Sequence, residues 1–335
     1  MTTTTKLPVL DLTKGTERRP SEPFAPTKAW TRGSLRPSEW TVPVSDAVKR
    51  ELAAVVTALR QQTLPMFLLR PEHFELAACR RMMAEAKHMT DTGRGFTMID
   101  RLPLDDWSEE EGRTVYWLLG QLFSQPVAQS SKGTIFREVV NAEGNFGYGH
   151  NGANGTGRLT YHSDNSGNRL LPTYAALLCL HGAKAGGESQ YCSLYTMYNA
   201  LLAAAPDALE RLFQPFLHDR QGKVPDGEPQ VLKAPAITYD GQSLTSRFSM
   251  NKIRSGYSKA GEDLDERTEA AMETLVDLID AKKLAAEYLM ERGHIQIINN
   301  REGLHHRSAF REGPVHKRHM VRLWMRDMGR PFYDG

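Results

Sequence analysis

The residues best placed to do chemistry in this chain fall in two separated clusters. One is Tyr161-His162-Ser163-Asp164; the other is Asn299-Asn300-Arg301-Glu302-Gly303-Leu304-His305-His306-Arg307, near the C-terminus. An H-x-D pair with a lone histidine far downstream can assemble a 2-His-1-carboxylate facial triad, which leaves iron(II) open positions for a co-substrate and oxygen. In a β-strand, residues i and i+2 point to the same side, so His162 and Asp164 can reach one metal while Ser163 points away. Arg158-Leu159-Thr160-Tyr161 has strand character and Asn165-Ser166-Gly167-Asn168 reads as a turn, which puts the pair at the end of a strand. With 11 histidines in the chain, chance H-x-D pairs are ordinary, and the pair alone also reads as a structural histidine beside a capping aspartate.

Two later segments strengthen the metal reading. Gly293-His294-Ile295-Gln296-Ile297-Ile298-Asn299 is a short apolar strand whose end delivers Leu304-His305-His306-Arg307 after a turn. Arg318-His319-Met320-Val321-Arg322-Leu323-Trp324-Met325 forms another strand, with Arg318, Met320, Arg322 and Trp324 on one face. Two arginines on one face beside a metal are costly to bury without anions to meet them, and a dicarboxylate supplies such an anion. The alternative is a solvated edge strand, against which Leu323 and Trp324 argue.

These residues resemble the TauD/TfdA group of iron(II)/2-oxoglutarate-dependent dioxygenases, within the clavaminate-synthase-like set. The resembling pieces are Tyr161-His162-Ser163-Asp164, Gly186-Gly187-Glu188-Ser189, Asn299-Asn300-Arg301 with Leu304-His305-His306-Arg307, and Arg318 through Trp324, in the family's order. The resemblance spans roughly residues 140 to 326; upstream it is carried faintly, by Gly93-Arg94-Gly95-Phe96 before Ile99-Asp100. It implies His162, Asp164 and His305 as metal ligands, with His306 as the competitor to His305. It also implies Arg318 as the arginine that binds the distal carboxylate of 2-oxoglutarate, assisted by the Ser189 hydroxyl. Arg322 falls where relatives contact substrate or buttress the co-substrate. Serine stands at 163 and 189 where the family commonly has threonine; both keep a hydroxyl.

The implied fold is α+β, a distorted double-stranded β-helix (jelly-roll or cupin-like) with flanking helices and an irregular N-terminal arm. The implied cofactors are Fe(II), 2-oxoglutarate as co-substrate and O2, and the implied enzyme is a hydroxylase of an unactivated C–H that releases succinate and carbon dioxide. An arginine fork fixes a carboxylate by two parallel hydrogen bonds, so orientation comes with affinity. Asp164 occupies the position that related halogenases leave small, which disfavours halogenation. Desaturation, ring closure and oxidative C–heteroatom cleavage use the same centre. The implied substrate is a small polar molecule, an amino acid or related acid. A zinc hydrolase using the same triad is the alternative enzyme class, but it leaves Arg318 and Ser189 unexplained. A metal-stabilised binding protein is the non-enzymatic alternative.

Other elements must position these groups. The organisation reads as an arm over residues 1–44 packed on the body through Trp30 and Trp40, then one domain over 45–335 with a helical part at about 45–125 and a jelly-roll core at about 126–335. A helix starts at Ser45, carrying Val48, Leu52, Val55, Val56 and Leu59; Pro71 opens a second, through about Lys87; Ser108 with Glu111 caps a third. Thr173–Leu180 reads as a buried strand and Ser189–Ser193 as another element after the double glycine. Helices are expected around Met197–Phe216, interrupted by Pro206, and at Glu262–Ala281. Pro225–Pro235 reads as loop, and Ile237–Asn251 as a hairpin around Asp240-Gly241. The segment Asn141–Gly157 holds Gly144, Gly147, Gly149, Gly152, Gly155 and Gly157, and reads either as a substrate lid with Tyr148, His150 and Asn151 as contacts or as a long connection. Arg158 is either an anion contact or a solvated strand residue. His150, His181, His218, His294, His316 and His319 have no ligand-like spacing.

Composition bounds the rest. Hydrophobic content of 40% and charged content of 24% fit a soluble globular protein, and a formal charge of +2 gives no sign of nucleic-acid binding. No run of 18 apolar residues predicts a membrane span, and the start lacks an apolar signal core. Cys79, Cys179 and Cys192, odd in number and without a C-x-x-C, suit free thiols in a reducing cytoplasm. The expected partner is a small-molecule substrate, with no nucleic acid or membrane; the oligomeric state is open and a homo-oligomer is compatible with the sequence.

Overall fold

Alternation of side chains along two long strands organises the architecture. In Tyr174–His181 and His319–Arg326, one face carries Ala176, Leu178, Leu180, Val321, Leu323 and Met325, which join the core beneath the helices. The opposite face carries Ala175, Cys179, Met320 and Trp324, in a separate core shared with Tyr191, Ala286 and Tyr288 of a second sheet. A period of two therefore separates one strand into a structural and an inner face. The computed structural model describes residues 8–16, 18–61, 64–141, 155–222, 224, 227–314 and 317–328.

The larger sheet has the order Thr41–Val42, Phe96–Ile99, Ile295–Asn299, Tyr174–His181, His319–Arg326, Gln125–Val127, and Phe136–Val140 also pairs His319–Arg326. Facing it are Ala286–Tyr288, Ser189–Ser193, Gly303–Arg307 and Leu159–His162, all antiparallel. No strand pairs across both sheets among the described residues, so they face one another without closing a barrel. With helices packed outside, this is the α+β, distorted double-stranded β-helix architecture.

Helices form where local chemistry asks for them. The Ser45 hydroxyl accepts from the Val48 amide and starts Asp46–Leu59, which buries Val48, Leu52, Val55 and Val56. Ser108 and Glu111 make the reciprocal capping box of Glu109–Phe123. Pro71, however, opens only a single 3-10 turn, Pro71–His73; the helix begins at Ala77, where the Glu51 carboxylate accepts from the Ala78 and Cys79 amides at 2.8 and 2.9 Å. In the arm, Trp30 is buried and donates from Nε1 to the Arg94 carbonyl, and Val9–Asp11 pairs in parallel with Val231–Pro235.

That last strand corrects the loop expected over Pro225–Pro235: long-range pairing with the arm orders it. The expected helix at Met197–Phe216 divides into Leu194–Ala204 and Pro206–Leu212, and Phe216 lies in the strand Pro215–Asp219. The expected hairpin holds only for Ile237–Tyr239 and Leu244–Ser246; Met250–Ala260 is a helix that sequence reading missed. The helix expected at Glu262–Ala281 begins at Glu266, capped by Asp265.

The missed helix contains Gly256, packed against Pro215–Asp219 so closely that a Cβ there would lie 2.3 Å from the Leu217 carbonyl oxygen. A mid-helix glycine weakens helix propensity, which hid the element, yet here it is what lets helix and strand meet. Gly256→Ala should therefore lower the unfolding free energy by about 1–3 kcal/mol instead of giving the gain expected from propensity. Thermal denaturation checks the sign, and an unchanged or higher Tm would show that the contact yields.

Candidate metal centre

His162 ends the strand Leu159–His162 and lies directly opposite His305 of Gly303–Arg307. Their ring centroids are 4.1 Å apart. Asp164 follows two residues later, in the turn, with Oδ1 3.7 Å from His162 Nε2 and 3.8 Å from His305 Nε2. The three candidate ligand atoms all lie within 4.8 Å of one another. This is the donor set and spacing that a divalent iron accepts from a facial triad. The orientation of His162 is fixed from behind, because its Nδ1 lies 2.9 Å from the Thr160 carbonyl oxygen and Nε2 is thereby left for the metal.

Asp164 is held on every side. Its amide donates to Asn300 Oδ1 at 2.7 Å, and Asn300 Nδ2 donates to the carbonyls of Asp164 and Pro172. Arg322 donates to Oδ1 at 2.9 Å and the Trp324 indole N–H donates to Oδ2 at 2.8 Å. Burial pushes this carboxyl up, but Arg322, His305, His162 and the Trp324 N–H outweigh it and hold it well below the usual carboxylate range. Burial likewise pushes His305 down to about 3, reinforced by His162, and lowers His162. All three groups are in their metal-binding protonation states at neutral pH.

The structure separates His305 from His306. His306 stacks on Tyr161, ring centroids 4.9 Å apart, and accepts from Arg158 Nε at 2.7 Å. Arg158 is also ion-paired with Asp280, so its guanidinium is engaged outside the triad. Tyr148, His150 and Asn151 lie outside the described residues, as does His316. His181 pairs with Glu109, His319 with Glu138, and His294 accepts from the Glu291 amide, all away from the three ligands. His218 is buried against the Ala234 carbonyl.

One cavity joins the triad to Ser189 and Arg318. Arg318 is buried, lies 5.3 Å from the Phe310 ring centroid, and its guanidinium has no hydrogen-bond acceptor among the described residues. Burial pushes it down to about 10, leaving it charged. Gly187, at φ 83°, lets it approach; a Cβ there would sit 3.4 Å from Arg318 Nε and 3.3 Å from Phe310 Cβ. A buried, unmatched guanidinium beside a hydroxyl fits an incoming carboxylate, so the residues present suit a dicarboxylate as well as iron. Arg322, expected at substrate or co-substrate, lines the same cavity and donates to Asp164 and Gln129. A larger cleft of about 310 Å³, bordered by Leu12, Arg169, Arg247 and Arg301, contains no metal-ligating cluster among the described residues.

Sequence reasoning gave no role to several residues here. Trp324 was read as a strand position rather than as a donor to Asp164. Arg307, which lines the cavity and donates to the Gly155 and Gly157 carbonyls at 2.6 and 2.5 Å, was read only as part of the motif. Lys252 lies in the helix that was missed. Alternation with Arg322 was the available clue for Trp324; nothing local marked the other two.

The family model for "Taurine catabolism dioxygenase TauD, TfdA family" matches residues 72–324. The chain belongs to the TauD/TfdA family. As a member it is an oxidoreductase, a dioxygenase that uses iron(II), 2-oxoglutarate and oxygen. It is similar to FR-33289 synthase of Streptomyces rubellomurinus (strain ATCC 31215), with 26% identity over 325 residues covering 93% of each chain. It is also similar to the taurine hydroxylase-like protein SAT17 of Stachybotrys chartarum (strain CBS 109288 / IBT 7711), at 25% identity over 86% of this chain and 76% of that protein. Among solved structures, an asparagine oxygenase in complex with Fe(II), 2S,3S-3-hydroxyasparagine and succinate superposes with TM-score 0.67 at 19% identity, over 86% of this chain and 94% of that one. The non-heme iron oxygenase OrfP, in complex with Fe, succinate and (3S)-hydroxy-L-Arg, gives 0.64 at 13% identity over the same shares. No helix among the described residues is long and apolar enough to cross a membrane.

Two measurements check this centre. His305→Ala should abolish stoichiometric Fe(II) binding in anaerobic titration while His306→Ala retains it; the reverse result would exchange their roles. The lowered histidines also set a pH dependence for the metal-free protein. Below pH 6.5 the unfolded chain takes up protons that folded His305, held near 3, refuses, so stability falls as pH falls through that window. A Tm independent of pH between 6.5 and 4 would contradict the burial of these rings.

Proposed function

We propose that this chain hydroxylates an unactivated C–H of a small polar acid, an amino acid or a close relative, with 2-oxoglutarate converted to succinate and carbon dioxide. The observation that carries the reading is the pairing of the His162, Asp164 and His305 triad with Arg318, whose buried guanidinium lacks an acceptor in the same cavity. In this reading His162, Asp164 and His305 hold iron(II), which supplies oxygen activation when bound. Arg318 and the Ser189 hydroxyl take the distal carboxylate of 2-oxoglutarate and so fix its orientation. Arg322 and Trp324 keep Asp164 charged and aimed. Val139, Leu159, Ala175, Leu177 and Ile298 give the cavity apolar walls.

An acidic substrate is supported by Lys252. It is half-buried in the first turn of Met250–Ala260, and its ammonium has no hydrogen-bond or ion-pair partner among the described residues. Burial pushes it down to about 8, with Asp164 and Asp219 opposing and Arg322 and Arg247 reinforcing. Both of those carboxylates already have donors, Arg322 and Trp324 on Asp164, and Ser255 and Lys259 on Asp219. A further anion would meet this charge. Two structural neighbours hold hydroxylated amino acids beside succinate, which supports the same substrate class. Desaturation or cyclisation at the same centre is the second reading, since the triad and the clamp serve them equally. The zinc-hydrolase alternative finds no support in the family match.

The test is anaerobic titration of the metal-free protein with Fe(II) and then 2-oxoglutarate, following the visible metal-to-ligand charge-transfer band. The band should form in the wild type, vanish in His162→Ala, and require about 100-fold more 2-oxoglutarate in Arg318→Ala, the scale of losing one partner of a buried charge pair. Absence of the band in the wild type, with zinc retained tightly, would overturn the assignment.

A further inference from the structure

The larger sheet sets one side chain from each strand in a row across its inner face. Register places Gln296 opposite Leu177, Leu177 opposite Arg322, and Arg322 opposite Arg137. Arg322 grips Asp164, so this row crosses the sheet at the level of a metal ligand. Gln296 is 3% exposed and lines the same cavity as His305, Ser189 and Arg318. Its Oε1 is buried without a donor, and neither end of its amide makes a hydrogen bond among the described residues. The nearest inner-face positions, Ile298 on its own strand and Leu177 on the next, are apolar and offer it nothing.

A buried amide oxygen with no donor costs free energy that an apolar side chain of similar volume would not. The other polar groups around the cavity have work already. Asp164, His162 and His305 form the triad, Arg322 holds Asp164, Arg307 holds the Gly155 and Gly157 carbonyls, and Arg318 with Ser189 faces the distal carboxylate. Among the described polar residues lining the cavity, Gln296 is left without an assigned role. It lines the cavity that joins the triad to Arg318. Its amide oxygen and nitrogen are interchangeable by a half-turn of the last torsion, so Nε2 can be presented where Oε1 now points.

We propose that Gln296 is a further co-substrate-binding residue, its amide N–H donating to a carboxylate oxygen of 2-oxoglutarate. The assignment rests on the 2-oxoglutarate reading above. A neutral donor suits the place: the cavity already brings Arg307, Arg318 and Arg322 against a single carboxylate, and an amide adds a hydrogen bond without adding a fourth positive charge.

The experiment is the same charge-transfer titration on Gln296→Leu and Gln296→Met, with Tm and Fe(II) affinity measured on each. Loss of one buried hydrogen bond should raise the 2-oxoglutarate concentration at half-saturation about tenfold. Fe(II) affinity should be unchanged, and Tm should be equal or higher because an unmatched amide has been removed. Gln296→Glu should weaken 2-oxoglutarate further, by placing a carboxylate against a carboxylate. Wild-type half-saturation in both Leu and Met variants would overturn this role and leave the Arg318 assignment standing. Absence of the band in the wild-type protein would overturn both. A tenfold loss accompanied by an equal loss of Fe(II) affinity or a lowered Tm would make Gln296 a structural residue and likewise overturn the role.

Discussion

Everything at this centre depends on keeping one carboxylate charged inside the protein. Asp164 is 5% exposed, and an isolated buried carboxylate would take up a proton instead of staying ionised. Arg322 and Trp324 prevent that by donating to its two oxygens, and both come from one strand at i and i+2. Oδ1 faces both histidine Nε2 atoms while also accepting from Arg322. A carboxylate oxygen has two lone pairs, so Oδ1 can keep the arginine and still bind a metal, while Oδ2 stays anchored to the indole. The aspartate therefore arrives at the metal with its charge, its rotamer and its ligating oxygen already decided.

The sheets make this possible because each contributes what the other cannot. The smaller sheet pairs His162 with His305 across adjacent strands, which fixes their separation through backbone register rather than side-chain packing. The larger sheet supplies Arg322 and Trp324 from behind. Asn300 joins the two, since its side chain bonds both the amide and the carbonyl of Asp164 as well as the Pro172 carbonyl, while its amide donates to Thr173. A polar side chain with every group satisfied is an effective buried joint, and it explains why an asparagine stands directly after the apolar strand Ile295–Asn299.

Much of this was legible in the sequence because it is periodic or local. Alternation along Arg318–Met325 separated the faces, Ser45 and Ser108 announced their helices, and the H-x-D pair with His305 marked a triad. What could not be read depends on contacts between distant segments. Val231–Pro235 becomes a strand because Val9–Asp11 and Pro215–Asp219 pair with it. Met250–Ala260 was obscured by Gly256, whose role is visible only when Leu217 stands beside it. Arg322 was correctly placed on the inner face, yet whether it meets a substrate or Asp164 is a matter of ångströms that no spacing encodes. The same applies to His306, one residue from a ligand and turned instead toward Tyr161 and Arg158.

The charge balance of the cavity gives a physical reason for a metal and an anion to reinforce one another's binding. Among the described residues lining it, Asp164 is the only carboxylate, against Arg307, Arg318 and Arg322, and Lys252 and Arg137 add to the field from nearby. Burial lowers Arg307, Arg318 and Arg137 to about 10 and Lys252 to about 8. None is lowered enough to lose its charge at neutral pH, so the protein carries the electrostatic cost of a positive cavity in its resting state. A dication entering such a cavity would be repelled by all of these groups except the carboxylate, and the triad that offsets this is already assembled without it. A dicarboxylate would be attracted by the same groups, and would offset their charge as well as that of a bound metal. The surplus of arginine around one aspartate thus couples the two: an anion in the cavity offsets the positive charge that opposes the metal, and the metal adds to the charge that attracts the anion.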